Sequence, residues 1–205
     1  MSAAAYLPER QTLAALREAV QGCRGCELYA HATQAVLGEG ARESELVLVG
    51  EQPGDQEDRQ GRPFVGPAGR LLDEALEEAG IDRRIAYVTN AVKHFKWQAR
   101  GKRRIHQKPT WTELTACRPW LDAELAVVKP RVLVCLGATA AQSLLGRQFR
   151  VTRERGVPVE SPLAEHVVAT IHPSAVLRQQ DDGSRRVEYE SLVRDLRVVA
   201  GLLHG

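Results

Sequence analysis

The sequence predicts an α/β protein of three layers, with helices on both faces of a central four-stranded parallel sheet. Three observations carry that prediction. Short apolar runs suited to buried strands alternate with segments of helical period. None of these runs is joined to the next by a hairpin signal, so the connections are crossovers, right-handed where they link parallel neighbours. The runs also end at Gly50-Glu51, Asn90, Gly137 and His172, so the polar strand ends would collect at the carboxyl edge of a parallel sheet.

Taken in order, Pro8 to Gln21 places Leu13, Leu16, Ala19 and Val20 at helical spacing, with Gly22 just past the end. A connection rich in glycine leads to the first strand, Glu45 to Gly50. Ala68 to Ala79 is an amphipathic helix, and Ile85 to Val92 a second strand. Trp111 to Val128 has helical period with a kink or restart at Pro119. Arg131 to Gly137 is a third strand, on which Cys135 faces away from Val134 and Leu136. A short helix, Ala138 to Leu145, precedes an irregular stretch from Gly146 to Pro162. His166 to Ile171 is the fourth strand, and Arg185 to Leu203 closes the chain as a helix.

The chain of 205 residues is expected to form one domain over 1–205, since a single α/β core of that size is common. With 43% apolar and 26% charged residues, the composition is neither disordered nor membrane-like. The first residues lack the basic and apolar regions of a secretory signal, and no apolar run is long enough to span a bilayer. The expectation is a soluble, intracellular monomer with reduced thiols. A net charge of +2 says little about partners, but its distribution is uneven: Lys93 to Lys108 holds seven Lys or Arg and no carboxylate.

Three constellations carry chemistry. Cys23, Cys26, Cys117 and Cys135 are all the cysteines in the chain. A Cys-x-x-Cys pair with two further thiolates suits a four-sulfur centre, and spacing alone does not choose zinc over an iron-sulfur cluster. The basic window interleaves cations with Phe95 and Trp97, which suits a nucleic-acid strand through phosphate neutralisation and base stacking, although a solvated charge run has the same composition. The third set is Glu51, Asp55, Asp58, Asn90, His106 and His172. Individually these are ordinary loop residues; together they bring an acid or base, an amide and an imidazole to one sheet edge.

The motifs Gly50-Glu51-Gln52-Pro53-Gly54-Asp55, Gly61 to Pro67 with Phe64, Asn90 at a strand end, and His172-Pro173-Ser174 resemble those of the uracil-DNA glycosylase superfamily. The four cysteines in this order resemble its iron-sulfur branch, family 4. Two departures, Gln52 in place of alanine and the inserted Gly101-Lys102-Arg103-Arg104-Ile105-His106, resemble the X-type branch, whose members become covalently attached to uracil-containing DNA through the histidine of that loop. The resemblance implies a [4Fe-4S] cluster on the four cysteines in a structural or DNA-positioning role. It implies that Phe64 stacks on uracil, Asn90 reads its polar edge and His172 donates to a carbonyl oxygen. His106 would attack C1′ of the deoxyribose, with Glu51 orienting it. Gln52, Asp55 and Arg104 would complete the substrate-binding set, Gln52 and Arg104 by setting the position of the loop. Single-stranded uracil-containing DNA is expected to be accepted, because unstacking the base costs least there. Two other readings remain: a multiple-turnover glycosylase in which Glu51 activates water, and a metal-stapled nucleic-acid-binding module without catalysis.

Overall fold

A computed structural model describes residues 2–204; Met1 and Gly205, which the single-domain expectation included, lie outside the described residues. The order of elements is α1 (Leu13–Ala19), β1 (Leu46–Gly50), α2 (Asp55–Gln60), α3 (Pro67–Glu78), β2 (Ala86–Asn90), β3 (Trp97–Arg100), β4 (Arg103–His106), α4 (Trp111–Val128), β5 (Val132–Leu136), α5 (Ala138–Leu145), α6 (Val151–Glu154), β6 (Pro158–Val159), β7 (His166–Thr170), α7 (Pro173–Leu177) and α8 (Asp182–His204).

The main sheet runs β2-β1-β5-β7-β6. Its first four strands are parallel in register, Val49 lying between Thr89 and Cys135, while β6 pairs antiparallel with β7 at the edge. The four expected parallel strands are therefore present, and two residues of the stretch read as irregular add a fifth. Alternation along each strand builds the layers. Val47, Val49, Tyr87, Leu133, Cys135, Val167 and Ala169 face one apolar cluster with residues of α1, α4 and α5. Leu46, Leu48, Ala86, Val88, Val132, Val134 and Val168 face the opposite one, with α3 and α8. All five residues of β1 are buried, as a strand covered on both faces requires.

Three sequence expectations change. The first helix begins at Leu13, because the Thr12 side chain accepts the amide of Ala15 and caps it there, which leaves Pro8 outside. Pro119 does not interrupt α4, which continues to Val128 after a start fixed by the Thr110 and Glu113 capping box. The basic window contains a hairpin: β3 and β4 pair with Arg100 opposite Arg103 and Trp97 opposite His106. Gly101, at φ +59°, makes its two-residue turn possible. Among the described residues no helix is long and apolar enough to cross a membrane.

Candidate active site

The carboxyl ends of β1, β2, β5 and β7 open into a cavity of about 790 Å³ lined by Glu51, Phe64, Asn90, His106, Thr139 and His172. A cavity of this size suits a small ligand or a nucleoside. Glu51 is the first residue beyond β1. One of its carboxylate oxygens accepts a short hydrogen bond from the Thr139 hydroxyl at the start of α5. The other lies 3.2 Å from Nε2 of His106. Burial works to raise the Glu51 pKa, but the hydrogen bonds from His106 and Thr139 prevail and hold it below the ordinary carboxylate value. The group is a carboxylate at neutral pH.

His172 caps α7. Its Nδ1 accepts the backbone N–H of Ser174 at 3.1 Å and lies 2.8 Å from the Ser174 hydroxyl. A backbone N–H can only donate, so Nδ1 is the acceptor and the ring proton of the neutral form sits on Nε2. Burial lowers the pKa to about 4, against the pull of Glu51 and with help from Arg178 and His106. At neutral pH this side chain is an uncharged N–H donor.

Phe64 is held in the left-handed region at φ +55°, uncommon for a bulky residue. Two glycines make room for it. A Cβ on Gly69 of α3 would collide with the Phe64 carbonyl, and one on Gly50 would come within 2.7 Å of the Phe64 ring and closer still to Asn90 Oδ1. The ring stacks with His172 at a centroid distance of 6.2 Å and an interplanar angle of 28°. Asn90, the last residue of β2, is 3% exposed.

His106 reaches the cavity from the end of β4, sixteen residues beyond the strand that bears Asn90. Gln52 fixes both roots of that hairpin, donating to the carbonyls of Lys96 and Gln107 and accepting the amide of Lys96, all at 3.1 Å. Arg104 binds the carboxylates of Asp55 and of the fully buried Asp58, reaches the Thr33 hydroxyl, and lies over the rings of Phe95 and Trp97. The Trp97 indole donates to the carbonyl of His31 at 2.8 Å. Of the expected substrate-binding residues, Phe64, Asn90 and His172 therefore line the cavity. Gln52 lines it too, but its amide is engaged with the hairpin, and Asp55 and Arg104 stand outside as hairpin anchors. Thr139, Ser174 and Thr33 had no assigned role in the sequence, although the first two sit at strand ends where partners of Glu51 and His172 have to lie.

Cys23, Cys117 and Cys135 are buried in one apolar cluster with Cys26 packed against it, and all four are free. Burial raises Cys26 and pushes Cys117 and Cys135 up to about 12, with Cys23 and Cys26 near enough to Cys117 to raise it further. Two N–H groups aim at sulfur: the Trp120 indole at Cys23, 3.2 Å, and the Lys93 amide at Cys117, 3.3 Å. Such donors favour sulfur that carries negative charge. Among the described residues no three His, Cys, Asp or Glu side chains converge as ligands of a single ion. The donor set, all sulfur and ringed by apolar side chains, is of the kind that accepts a thiolate-bound metal centre, zinc or iron-sulfur.

A sequence profile described as the uracil DNA glycosylase superfamily matches residues 37–197. The chain belongs to that superfamily. Among its relatives, a type-4 uracil-DNA glycosylase of Thermotoga maritima is 39% identical over 176 residues, 85% of this chain and 88% of the relative. A type-4 uracil-DNA glycosylase of Archaeoglobus fulgidus is 35% identical over 89% of this chain and 90% of its own length. A type-5 uracil-DNA glycosylase of Thermus thermophilus is 33% identical over 82% and 81%. The matched span takes in the strand ends that line the cavity, the hairpin, and two of the four cysteines.

Proposed function

We propose that this superfamily member is a uracil-DNA glycosylase that excises uracil from DNA and stays covalently attached through His106. The observation that supports it is the His106 imidazole beside the Glu51 carboxylate, in the same cavity as Phe64, Asn90 and His172. Uracil leaves the stack and enters the cavity, where Phe64 stacks on its ring and Asn90 hydrogen-bonds its polar edge. The bond between uracil N1 and C1′ breaks, and its electron pair departs with the base. The neutral Nε2–H of His172 donates to a uracil carbonyl oxygen and stabilises the developing anion without adding a full charge to the pocket.

Glu51 accepts the N–H of the nearer His106 nitrogen, leaving the lone pair of the other nitrogen to attack C1′. The new bond converts the ring to an imidazolium, whose remaining N–H stays paired with Glu51. Once that proton is lost to solvent the adduct is a neutral N-alkylimidazole, which could depart only as an imidazolide anion, a poor leaving group, so the second step of ordinary covalent catalysis has no route. The exposed Arg100, Lys102 and Arg103 at the hairpin tip would meet phosphates of a uracil-containing strand, single strands included. Cys23, Cys26, Cys117 and Cys135 would hold a [4Fe-4S] cluster, which when bound supplies a structural link and no electron to the reaction. The chain works as one unit, both apolar clusters resting on the same sheet.

The test is a denaturing gel after incubation with a uracil-containing oligonucleotide. A heat-stable shifted band is expected from the wild type. His106→Ser should lose the band and release free uracil, water taking the vacated place beside Glu51. Free uracil without a band from the wild type would replace this reading with that of a multiple-turnover enzyme.

A further inference from the structure

Beneath Asn90 lies a polar cluster that the proposed chemistry does not use. The ammonium of Lys93 is fully buried and has three acceptors: the backbone carbonyl of Asn90 at 2.6 Å, the Thr89 hydroxyl at 2.8 Å and Glu124 at 2.5 Å. Three donors meet three acceptors, so the group is satisfied in one orientation only. Glu124 is fixed in turn by the Tyr87 hydroxyl at 2.8 Å, the Gly38 amide at 2.7 Å and Thr89. Glu124 follows Cys117 on α4 by seven residues, two helical turns, and so shares its face. The backbone amide of Lys93 donates to Cys117.

An internal ion pair of this kind contributes little net stability, because desolvation of both charges offsets their attraction. Its use lies in what it orients. Among the described residues it is the buried cation that grips the backbone of a residue lining the cavity, and it does so at the point where β2 ends and the chain turns toward the hairpin. The carbonyl it holds belongs to the same residue whose amide faces the cavity. Ala91 and Val92 continue the grip by donating to the carbonyls of Gly50 and Glu51.

We propose that Lys93, locked by Glu124, is a positioning residue for base recognition, fixing the Asn90 backbone so that its side-chain amide meets the uracil edge. The inference rests on the assignment of the cavity to uracil. Lys93→Met leaves Glu124 as a lone buried charge, so the decisive variant is the pair Lys93→Met with Glu124→Met, which removes both charges at similar volume. In the protein as purified, equilibrium binding of free uracil and single-turnover uracil release are measured beside thermal unfolding. Free uracil is expected to bind about tenfold more weakly, the equivalent of one well-aimed hydrogen bond, and release to slow by a similar factor. The oligonucleotide concentration for half-maximal rate should stay unchanged, because phosphate contacts do not depend on Asn90. A folded double variant that binds uracil as the wild type does overturns the proposal, even if its melting temperature has fallen. Should the double variant not fold, Thr89→Val removes one of the three acceptors at almost no change in shape, and it should weaken uracil binding several-fold; unchanged binding there overturns the proposal too. A wild type that neither binds nor releases uracil overturns the assignment of the cavity instead, and this inference with it.

Discussion

A methyl group at position 50 would enter the space of Asn90 Oδ1 and press on the Phe64 ring, so Gly50→Ala displaces both groups that would hold the base. Displacement of about 1 Å at such a site costs on the order of 100-fold in rate, and single-turnover uracil release should fall by that amount while the folded state persists. His172 supports a second residue-level expectation. Its folded pKa of about 4 lies below the ordinary value of 6.5, so the unfolded chain binds the extra proton between those pH values. Stability is therefore fully present above about pH 6.5 and is lost as pH falls toward 4, with a slope of at most about 1.4 kcal/mol per pH unit from this group. His94, also lowered to about 4 by burial, acts in the same direction. Urea unfolding of His172→Asn across that range should give a shallower slope than the wild type; an equal slope would mean that the ring titrates normally. Glu51, Asn90 and His172 were legible in the sequence because each follows a readable apolar strand. The pairing of Glu51 with Thr139 and of His172 with Ser174 was not, since a hydroxyl carries no pattern until the fold says what stands opposite.

The β3–β4 hairpin is held almost wholly by side chains from elsewhere, so its anchors are separable from the base pocket. Gln52→Ala removes three hydrogen bonds at the hairpin roots. Arg104→Met leaves the buried Asp58 carboxylate without its cation, which costs on the order of 3 kcal/mol. Both variants should form the covalent band more slowly while binding free uracil as the wild type does, and both should be cut faster by trypsin at Arg100, Lys102 and Arg103. A band that forms at the wild-type rate in both would show that the hairpin needs neither anchor. This element was the least legible part of the fold. Trp97-Gln-Ala-Arg100 and Arg103-Arg-Ile-His106 lack the apolar alternation of a half-buried strand, since the stacking of Arg104 on Phe95 and Trp97 takes the place of a core. Gly101 could be read as a turn, but its strands could not. The edge strand β6, two residues inside a glycine-marked irregular stretch, was likewise too short to leave a signal.

At the level of the whole molecule, the parallel core was predictable because burial on both faces writes near-continuous apolar runs into β1, β2, β5 and β7. What holds the N-terminal 45 residues to that core was readable only as four cysteines. A path of contacts runs from them to the His106 end of the cavity. Cys23 and Cys26 lie just before the segment whose His31 carbonyl binds Trp97 and whose Thr33 hydroxyl binds both Asp58 and Arg104. Cys117 and Cys135 belong to α4 and β5, inside the sheet assembly. A cluster shared by these four would clamp the segment that braces the hairpin, whereas Phe64, Asn90 and His172 rest on the sheet ends and would keep their places without it. Removing iron by acid or chelation at neutral return pH should therefore abolish the broad visible absorbance and speed proteolysis after Arg24. It should slow formation of the His106 band more than it weakens free-uracil binding. Equal loss of both would place the cluster's influence on the base pocket itself, through the Lys93 amide on Cys117, and not on the hairpin.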